Sequence, residues 1–548
     1  MPGPPRALLA VVAHGERICL YAAGRAEVLS PADAAGRIDL AAERLVVWSA
    51  ARDLTAVVAA GARPARVLDL AEAHRIVRGG WRADPGRVWA AATGLDRGGV
   101  PEGPGDDLFA ALVTGPGEED LLTPEGYLRP DAVAGRWTVT DDRLVAWARA
   151  ALECAGRLGP QLDGLGARAA SLAASESAAA VLCLELERDG LPIDRAGAGE
   201  LIALAAGPRP RDEAHARAIR AERDARVLAV APGHDHTDLR NPASVRALLA
   251  AVGIDVPTTR KWVLENHRHV HPVIPALLDW RRDERIATTY GYGWLDAHVG
   301  PDDRLRGTWT ACDGAAGRMT AQNGLHNLPV PMRAAVAAAP GWRFVRADLG
   351  QIEPRVLAVV SGDPALAEAT ASPDLYAPVA ERLGVERSVA KVAVLAAMYG
   401  QRSGTAGRAL TGLQRAYPVA MGFLDAAYAA GVSGADLRTF GGRRLRTRGI
   451  RDEGSRGRYA RNALIQGAAA ELFKCWAATV RAALVDAPAR IALCLHDELL
   501  VHTPAGDAAA VSGVVESALA DAARRWSGGA PVRFVADTTV ITRWSEAK

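Results

Sequence analysis

The stretch Arg346-Ala-Asp-Leu-Gly-Gln-Ile-Glu-Pro-Arg-Val-Leu-Ala-Val-Val-Ser-Gly-Asp363 decides how the chain is read. Residues 342 to 347 alternate apolar and basic side chains, as a short strand does. Asp348 stands at that strand's end and Gly350 makes a turn. An apolar helix follows, with Pro354 in its first turn, where a missing N–H costs nothing. A carboxylate at a strand tip before a turn is placed to hold a metal or a phosphate, but it is also a common turn cap. What surrounds Asp348 separates the two readings.

The 548 residues suffice for roughly two to four domains and a large core. A net charge of +2 does not advertise a polyanionic partner, so any such signal must be local. Of 65 basic residues only Lys261, Lys391, Lys474 and Lys548 are lysine. With so much Ala and Gly, this is the mark of GC-rich codons, and a lysine where arginine is the default invites a chemical reason. The six cysteines (19, 154, 183, 312, 475 and 494) include no CxxC pair, which argues against a zinc or disulfide framework and fits a reducing compartment. The N-terminal apolar run Ala7–Ala13, broken by His14 and Glu16, reads as a first strand and not a signal peptide. No apolar run is read as long enough to span a membrane, and a soluble, intracellular protein is expected.

Residues 1–170 read as a small α/β unit. Leu8–Val12 and Ile18–Tyr21 are a strand pair, Arg44–Ser49 a further strand, and Asp53–Ala60, Val67–Val77 and Asp141–Leu158 helices. Gly94–Asp120 is rich in Gly, Pro and acids and reads as a loop. An Ala/Leu-rich helix starts near Glu176, and Asn241-Pro-Ala-Ser244 opens another. His267-Arg-His-Val-His271 has no accompanying acid or cysteine cluster and reads as a surface loop in preference to a metal site. Beyond Leu305 the pattern is strand-rich, then helical, then a hairpin: Arg490–His496 and Leu499–Thr503 flank Asp497-Glu498.

Three features then coincide. Asp348 and Asp497 both sit at strand tips, and acids buried between apolar strands are costly without a cation to neutralise them. Two such aspartates could hold a pair of Mg²⁺ ions roughly 3.5–4 Å apart, the arrangement that activates a hydroxyl and stabilises a leaving phosphate oxygen. Arg387, Lys391, Leu395 and Tyr399 step by four along one helix, lining up two cations, an apolar group and a phenol. The cations suit a triphosphate, the other two a sugar and a base. Lysine can surrender a proton to departing pyrophosphate where arginine cannot. Between Gly441 and Asn462, eight arginines (443, 444, 446, 448, 451, 456, 458 and 461) face Asp452 and Glu453, a patch suited to phosphates.

These segments resemble the polymerase half of family A DNA polymerases, the DNA polymerase I type. Asp348-Leu-Gly-Gln-Ile-Glu-Pro-Arg355 is similar to that family's first palm motif, Arg387–Gly400 to its fingers helix, and Leu495-His-Asp-Glu498 to its second palm motif. Gly317-Arg-Met-Thr320 with Leu325-His-Asn-Leu-Pro329 resembles its primer–template segment, and Arg458–Gly467 its template-contacting helix. The motifs fall in family order over residues 176 to 548. The resemblance implies an α/β and α+β multidomain chain: a ribonuclease H-like exonuclease-type domain (1–170), a mostly helical thumb (171–304), and a right-hand palm and fingers (305–548, fingers about 366–440).

It further implies template-directed addition of dNTPs to a primer 3′-OH, with two Mg²⁺ ions, or Mn²⁺ in their place, on Asp348, Asp497 and the Leu349 carbonyl. Arg387 and Lys391 meet the triphosphate, Lys391 with a catalytic share. Gln351, Tyr376, Leu395 and Tyr399 complete the nucleotide pocket, and Glu353 sits under the sugar's 2′ position. Arg318, Asn327, Arg443, Arg444, Arg458, Asn462, Gln466 and His496 contact DNA, and Glu498 is a secondary acid. The partners implied are primer–template DNA and dNTPs, for a monomer without membrane attachment, cytoplasmic and nucleoid-associated, in repair or gap filling. Weighed against this are a phage-type RNA polymerase, disfavoured by Gln351-x-Glu353, and a dead DNA-binding scaffold.

The sequence departs from the family at Leu395, where an aromatic residue is usual, at Tyr376, where a histidine is usual, and at Leu349-Gly350, which replace Tyr-Ser. In the exonuclease-like domain the first strand carries no acid. Asp53 and Asp69 match later acidic positions, but Trp147 and Ala151 stand where Tyr and Asp are expected. A retained fold without proofreading is expected, with no 5′-nuclease domain.

Overall fold

The apolar β-runs near the N-terminus assemble into a five-stranded sheet in the computed structural model, which describes residues 7–39, 43–102, 120–314, 316–400, 406–495 and 497–547. The strand order is Arg25–Leu29, Arg17–Ala22, Leu8–His14, Arg44–Val47, Val67–Asp69, antiparallel over the first three and parallel over the last two. Alternation along Leu8–His14 feeds two cores. Ala10 and Val12 join Trp48, Leu68 and Trp147 on one face, while Val11 joins Val47, Val57 and Val181 on the other.

Several local expectations change. Val67–Val77 is not one helix: Val67–Asp69 is a buried strand, and Asp69 caps a new helix, Leu70–Arg78, by accepting from Glu72 N at 3.0 Å. The Asp53–Ala60 helix is two short ones, Ala50–Asp53 and Thr55–Ala59, the first capped by Ser49. The strand Arg25–Leu29 and the helix Pro85–Thr93 went unread. The Gly94–Asp120 loop lies largely outside the described residues.

The chain divides into two compact units, Met1–Asp189 with Thr308–Ala321 and Gly341–Val540, and Gly190–Gly307 with Gln322–Pro340 and Ile541–Lys548. The helix Ala167–Asp189 runs straight through 170, where the sequence places a domain boundary, and stays in the first unit. It also corrects the membrane reading, being long and apolar enough to span a bilayer by length and composition, yet mostly buried inside the protein. Its interior acids explain the placement. Glu176 pairs with Lys474 and, at 2.8 Å, with Arg443; Glu185 pairs with Arg481 at 2.7 Å. Buried charges persist only where partners of opposite sign meet them.

The rest of the first unit is built on a four-stranded sheet in the order Arg490–Leu495, Glu498–Pro504, Trp342–Leu349, Ala536–Ile541. Glu498–Pro504 runs antiparallel to both neighbours, pairing Asp348 and Leu495 with Glu498. The 31-residue helix Glu453–Ala483, capped by Asp452, packs against Pro418–Val432 and Ala508–Ser527. Its crossing with Pro418–Val432 needs glycine on both sides. A Cβ on Gly431 meets the Ala460 Cβ and Arg456 carbonyl at 2.6 Å, and one on Gly457 meets the Tyr428 ring at 2.7 Å.

The second unit is helical, with Arg195–Ala206, Glu213–Leu228, Pro242–Ala251 and Val273–Thr289 its main elements. Its core includes Val227, Leu248, Leu264, Leu277 and Trp280. Asn241 caps Pro242–Ala251 as its sequence implies.

Candidate active site

The hairpin register brings the two aspartates to the same end of the sheet, at neighbouring strand tips. Asp348 lies directly across from Glu498, and the Leu349 N–H donates to the Asp497 carbonyl at 2.9 Å. Burial raises the Asp348 carboxyl above its usual range. Burial together with the Asp348 charge pushes Asp497 up to about 6. Among the described residues Asp497 has no cationic partner. Oxygen donors whose charge is left uncompensated suit a hard divalent cation, so the pair fits Mg²⁺ or Mn²⁺. Asp348 is only partly balanced: Arg346, two residues earlier on the same face, donates to it at 2.8 Å.

The turn after Asp348 is strained. Gln351 adopts φ 58°, a left-handed conformation costly for a non-glycine residue. Its side chain explains why it is held: Nε2 donates to Asp374 at 2.8 Å and Oε1 accepts from Leu375 N at 2.7 Å. Arg355 fixes the same loop. Fully buried, it donates to the carbonyls of Gly350, Thr370, Ser372, Pro373 and Arg533. Arg355→Met leaves five carbonyls short of a donor. It is expected to cost about 3 kcal/mol or more of stability in urea unfolding, whereas a loss under 1 kcal/mol would mean water replaces the guanidinium.

A pocket opens beside this turn, lined by Arg318, Gln351, Glu353, Tyr376, Lys391, Leu395, Tyr399, Gln466, Phe473 and Asp497. The helix Arg387–Tyr399 thus presents Lys391, Leu395 and Tyr399 to it, as their spacing implies. Glu353 bridges the floor, accepting from the Tyr399 hydroxyl at 3.0 Å and from Arg318 at 3.2 Å. Tyr376 is buried, which pushes its hydroxyl up to about 12. Arg387 is exposed and bound to Asp374 through Nε and, at 3.2 Å, through Nη2.

The DNA-contact set separates. Arg318 and Gln466 line the pocket. Arg458 and Asn462 lie on Glu453–Ala483, Arg458 exposed. Asn327 belongs to the second unit, its carbonyl accepting from Tyr290 and Arg285. His496 lies outside the described residues.

Arg443 is a correction. It is buried against Glu176 and the Cys312 sulfur, so its guanidinium faces protein and not phosphate. Arg444 pairs with Asp436, Arg446 caps the Arg78 carbonyl, Arg448 that of Gly434, Arg456 that of Gly431, and Arg461 binds Ala397 O and Asp425. Of the eight arginines counted from sequence, Arg443 and Arg461 are buried, Arg444 and Arg456 half-buried, and Arg446, Arg448, Arg451 and Arg458 exposed, so the patch is divided between interior and surface. Sequence reading also missed Arg346, Asp374 and Arg355 as determinants. Their one signal was a charged residue within or beside an apolar run.

In the N-terminal sheet Asp53 accepts from Ala13 N, Trp48 N and Ser49 N, and Asp69 from Ala50 N and Glu72 N. Burial pushes them up to about 6 and about 7. Trp147 packs on Trp48 with ring centroids 4.7 Å apart, and Ala151 is buried in the same core.

The fold and this site define a polymerase class. The family model of DNA polymerase family A matches residues 252–546, more than half of the chain. The chain belongs to that family. It is 34% identical over 276 residues to DNA polymerase I of Chloroflexus aurantiacus, a match covering 44% of this chain and 29% of that protein. It is 27% identical over 297 residues to the thermostable DNA polymerase I of Thermus aquaticus, covering 48% and 36%. These matches span about a third of the length of the curated relatives. The solved polymerase domain of Pol1 from M. smegmatis, in complex with DNA primer-template and dNTP, superposes with a TM-score of 0.71 at 21% identity, over 99% of this chain and 96% of that one. The mixed α/β polymerase fold is therefore shared.

Proposed function

We propose that this chain is a template-directed DNA polymerase that adds deoxynucleotides to a primer 3′-OH with release of pyrophosphate. The observation that carries the reading is the convergence of Asp348 and Asp497 at one end of the sheet, beside a pocket walled by Lys391, Leu395, Tyr399 and Glu353. In this reading the four-stranded sheet is the palm, residues of about 366–440 the fingers, and helices within 171–304 the thumb. Asp348, Asp497 and the Leu349 carbonyl would hold Mg²⁺ ions, or Mn²⁺ in their place, which would supply activation of the primer hydroxyl and stabilisation of the leaving oxygen.

The chain's own groups do the rest. Lys391 faces the triphosphate and holds a proton for the departing pyrophosphate. Arg387 joins it by exchanging Asp374 for a phosphate, one anionic partner for another. Tyr399 and Glu353, already hydrogen-bonded, close the sugar end, where the Glu353 carboxylate opposes a 2′-hydroxyl. Leu395 gives the sugar an apolar contact without an aromatic face. Gln466, Arg318, Arg458 and Asn462 lie toward the primer end. The partners are primer–template DNA and dNTPs, and the enzyme acts as a cytoplasmic, nucleoid-associated monomer in repair or gap filling.

We assign the N-terminal sheet to a ribonuclease H-like exonuclease domain without proofreading. Its order and mixture of parallel and antiparallel strands support the fold. The loss of activity is supported by chemistry: Asp53 and Asp69 are spent on backbone N–H groups, and the Trp48–Trp147 pair fills the space with apolar surface.

The test is primer extension with Mg²⁺ or Mn²⁺, comparing dNTPs with NTPs, alongside labelled 3′-end degradation without nucleotides. Extension is expected with dNTPs only, and no degradation. Absence of dNTP incorporation sinks the polymerase reading; robust Mg²⁺-dependent degradation sinks the proofreading one.

A further inference from the structure

Arg346 occupies a place that metal chemistry alone would leave to carboxylates. It lies two residues before Asp348 on the same face of the central strand, and its side chain is 7% exposed. All three arms of its fork end on acids. Nη2 donates to Asp348 Oδ2 at 2.8 Å, Nε to Glu498 Oε1 at 2.8 Å, and Nη1 to Asp537 Oδ2 at 3.2 Å. These acids come from three adjacent strands. Asp348 and Glu498 are direct cross-strand partners, a like-charged pair that repels unless something bridges it. Arg346 is that bridge, and a planar, permanently charged guanidinium suits it better than any other side chain. Asp497 has no such bond to it.

The consequence concerns how many carboxylate oxygens remain for a cation. Arg346 engages one oxygen of Glu498 (Oε1) and one of Asp348 (Oδ2), drawing both carboxylates toward itself, and makes no such bond to Asp497. Arg346 also sets a fixed positive charge beside them. On the polymerase reading above, the geometry points to Arg346 as a positioning residue that withholds Glu498 from divalent cations and holds the resting site to a two-carboxylate, low-affinity state. Removing it strips a unit charge from the site's edge and breaks the bond that draws Glu498 Oε1 toward Arg346, so that Glu498 can supply a third carboxylate. Both effects tighten cation binding.

The test titrates Mn²⁺ into the metal-free 548-residue chain without DNA or nucleotide, with free Mn²⁺ followed by electron paramagnetic resonance and folding checked by circular dichroism. Arg346→Met is expected to bind Mn²⁺ about tenfold more tightly than the parent. Arg346→Met with Glu498→Gln is expected to lose most of that gain. Glu498→Gln alone is expected to stay within about twofold of the parent, because Arg346 already holds that side chain. A merely structural arginine predicts the opposite, weaker binding along with lower stability. A folded Arg346→Met that binds no more tightly overturns the proposal. So does a tenfold weakening in Glu498→Gln, which would make Glu498 a ligand already; this single variant decides the matter if Arg346→Met does not fold. Primer extension by the parent protein tests the polymerase reading separately.

Discussion

Asp497→Asn is expected to bring primer extension below detection while making the metal-free protein more stable above pH 6. The two effects share one cause. Asp497 is half-buried beside a second aspartate, and its carboxyl is pushed up to about 6 by that burial and by the Asp348 charge. An acid whose folded pKa exceeds its unfolded value binds its proton more tightly when folded. Its favourable contribution is complete below the unfolded value, about 4, and is lost as pH rises through about 6. At pH 7.5 the ionised side chain is therefore a cost on the order of 2 kcal/mol, which a cation repays and asparagine avoids. Thermal melts of metal-free protein check this. The variant and parent should coincide near pH 4 and separate between pH 5 and 7, with the variant higher. Added Mn²⁺ should raise the parent's melting temperature and leave the variant's nearly unchanged. DNA binding should persist. Full activity in the variant, or a melting difference that does not change with pH, would remove Asp497 from the site.

What could be read from sequence follows the reach of local geometry. The spacing 387, 391, 395, 399 maps onto one helical stripe because 3.6 residues make a turn, and Lys391, Leu395 and Tyr399 do face a common pocket. Asp348 and Asp497 were legible as strand-end acids because the apolar runs around them are short and sharply bounded. Their meeting required the register Asp348↔Glu498, which no local pattern encodes. Arg443 shows the failure mode. A count of arginines carries charge but not burial, and in a chain where arginine replaces nearly every lysine the same residue serves as interior counterion, helix cap and surface charge. Arg355 and Arg346 were hidden for the same reason: their partners are main-chain carbonyls and acids remote in sequence. Val67–Asp69 went astray because a three-residue strand running into a capped helix has no period of its own.

Lys391→Ala is expected to lower kcat by about 10²–10⁴-fold and to raise the KM for dNTP, and Lys391→Arg separates the two losses. Lys391 lies at the pocket wall, exposed, on the helix that also carries Tyr399. Among the described residues it makes no ion pair, in contrast with Arg387, whose guanidinium is already engaged by Asp374. A residue that only neutralises phosphate is replaceable by arginine, which carries the same charge and offers more donors. A residue that also delivers a proton is not, because the guanidinium keeps its own. Lys391→Arg should therefore recover most of the KM while leaving kcat depressed by roughly 10²-fold, measured by rapid-quench single-nucleotide incorporation so that product release does not mask chemistry. Recovery of kcat to within about threefold would reduce Lys391 to an electrostatic role. Against a chain that uses arginine almost everywhere else, a lysine that arginine cannot replace is the outcome the composition itself leads one to expect.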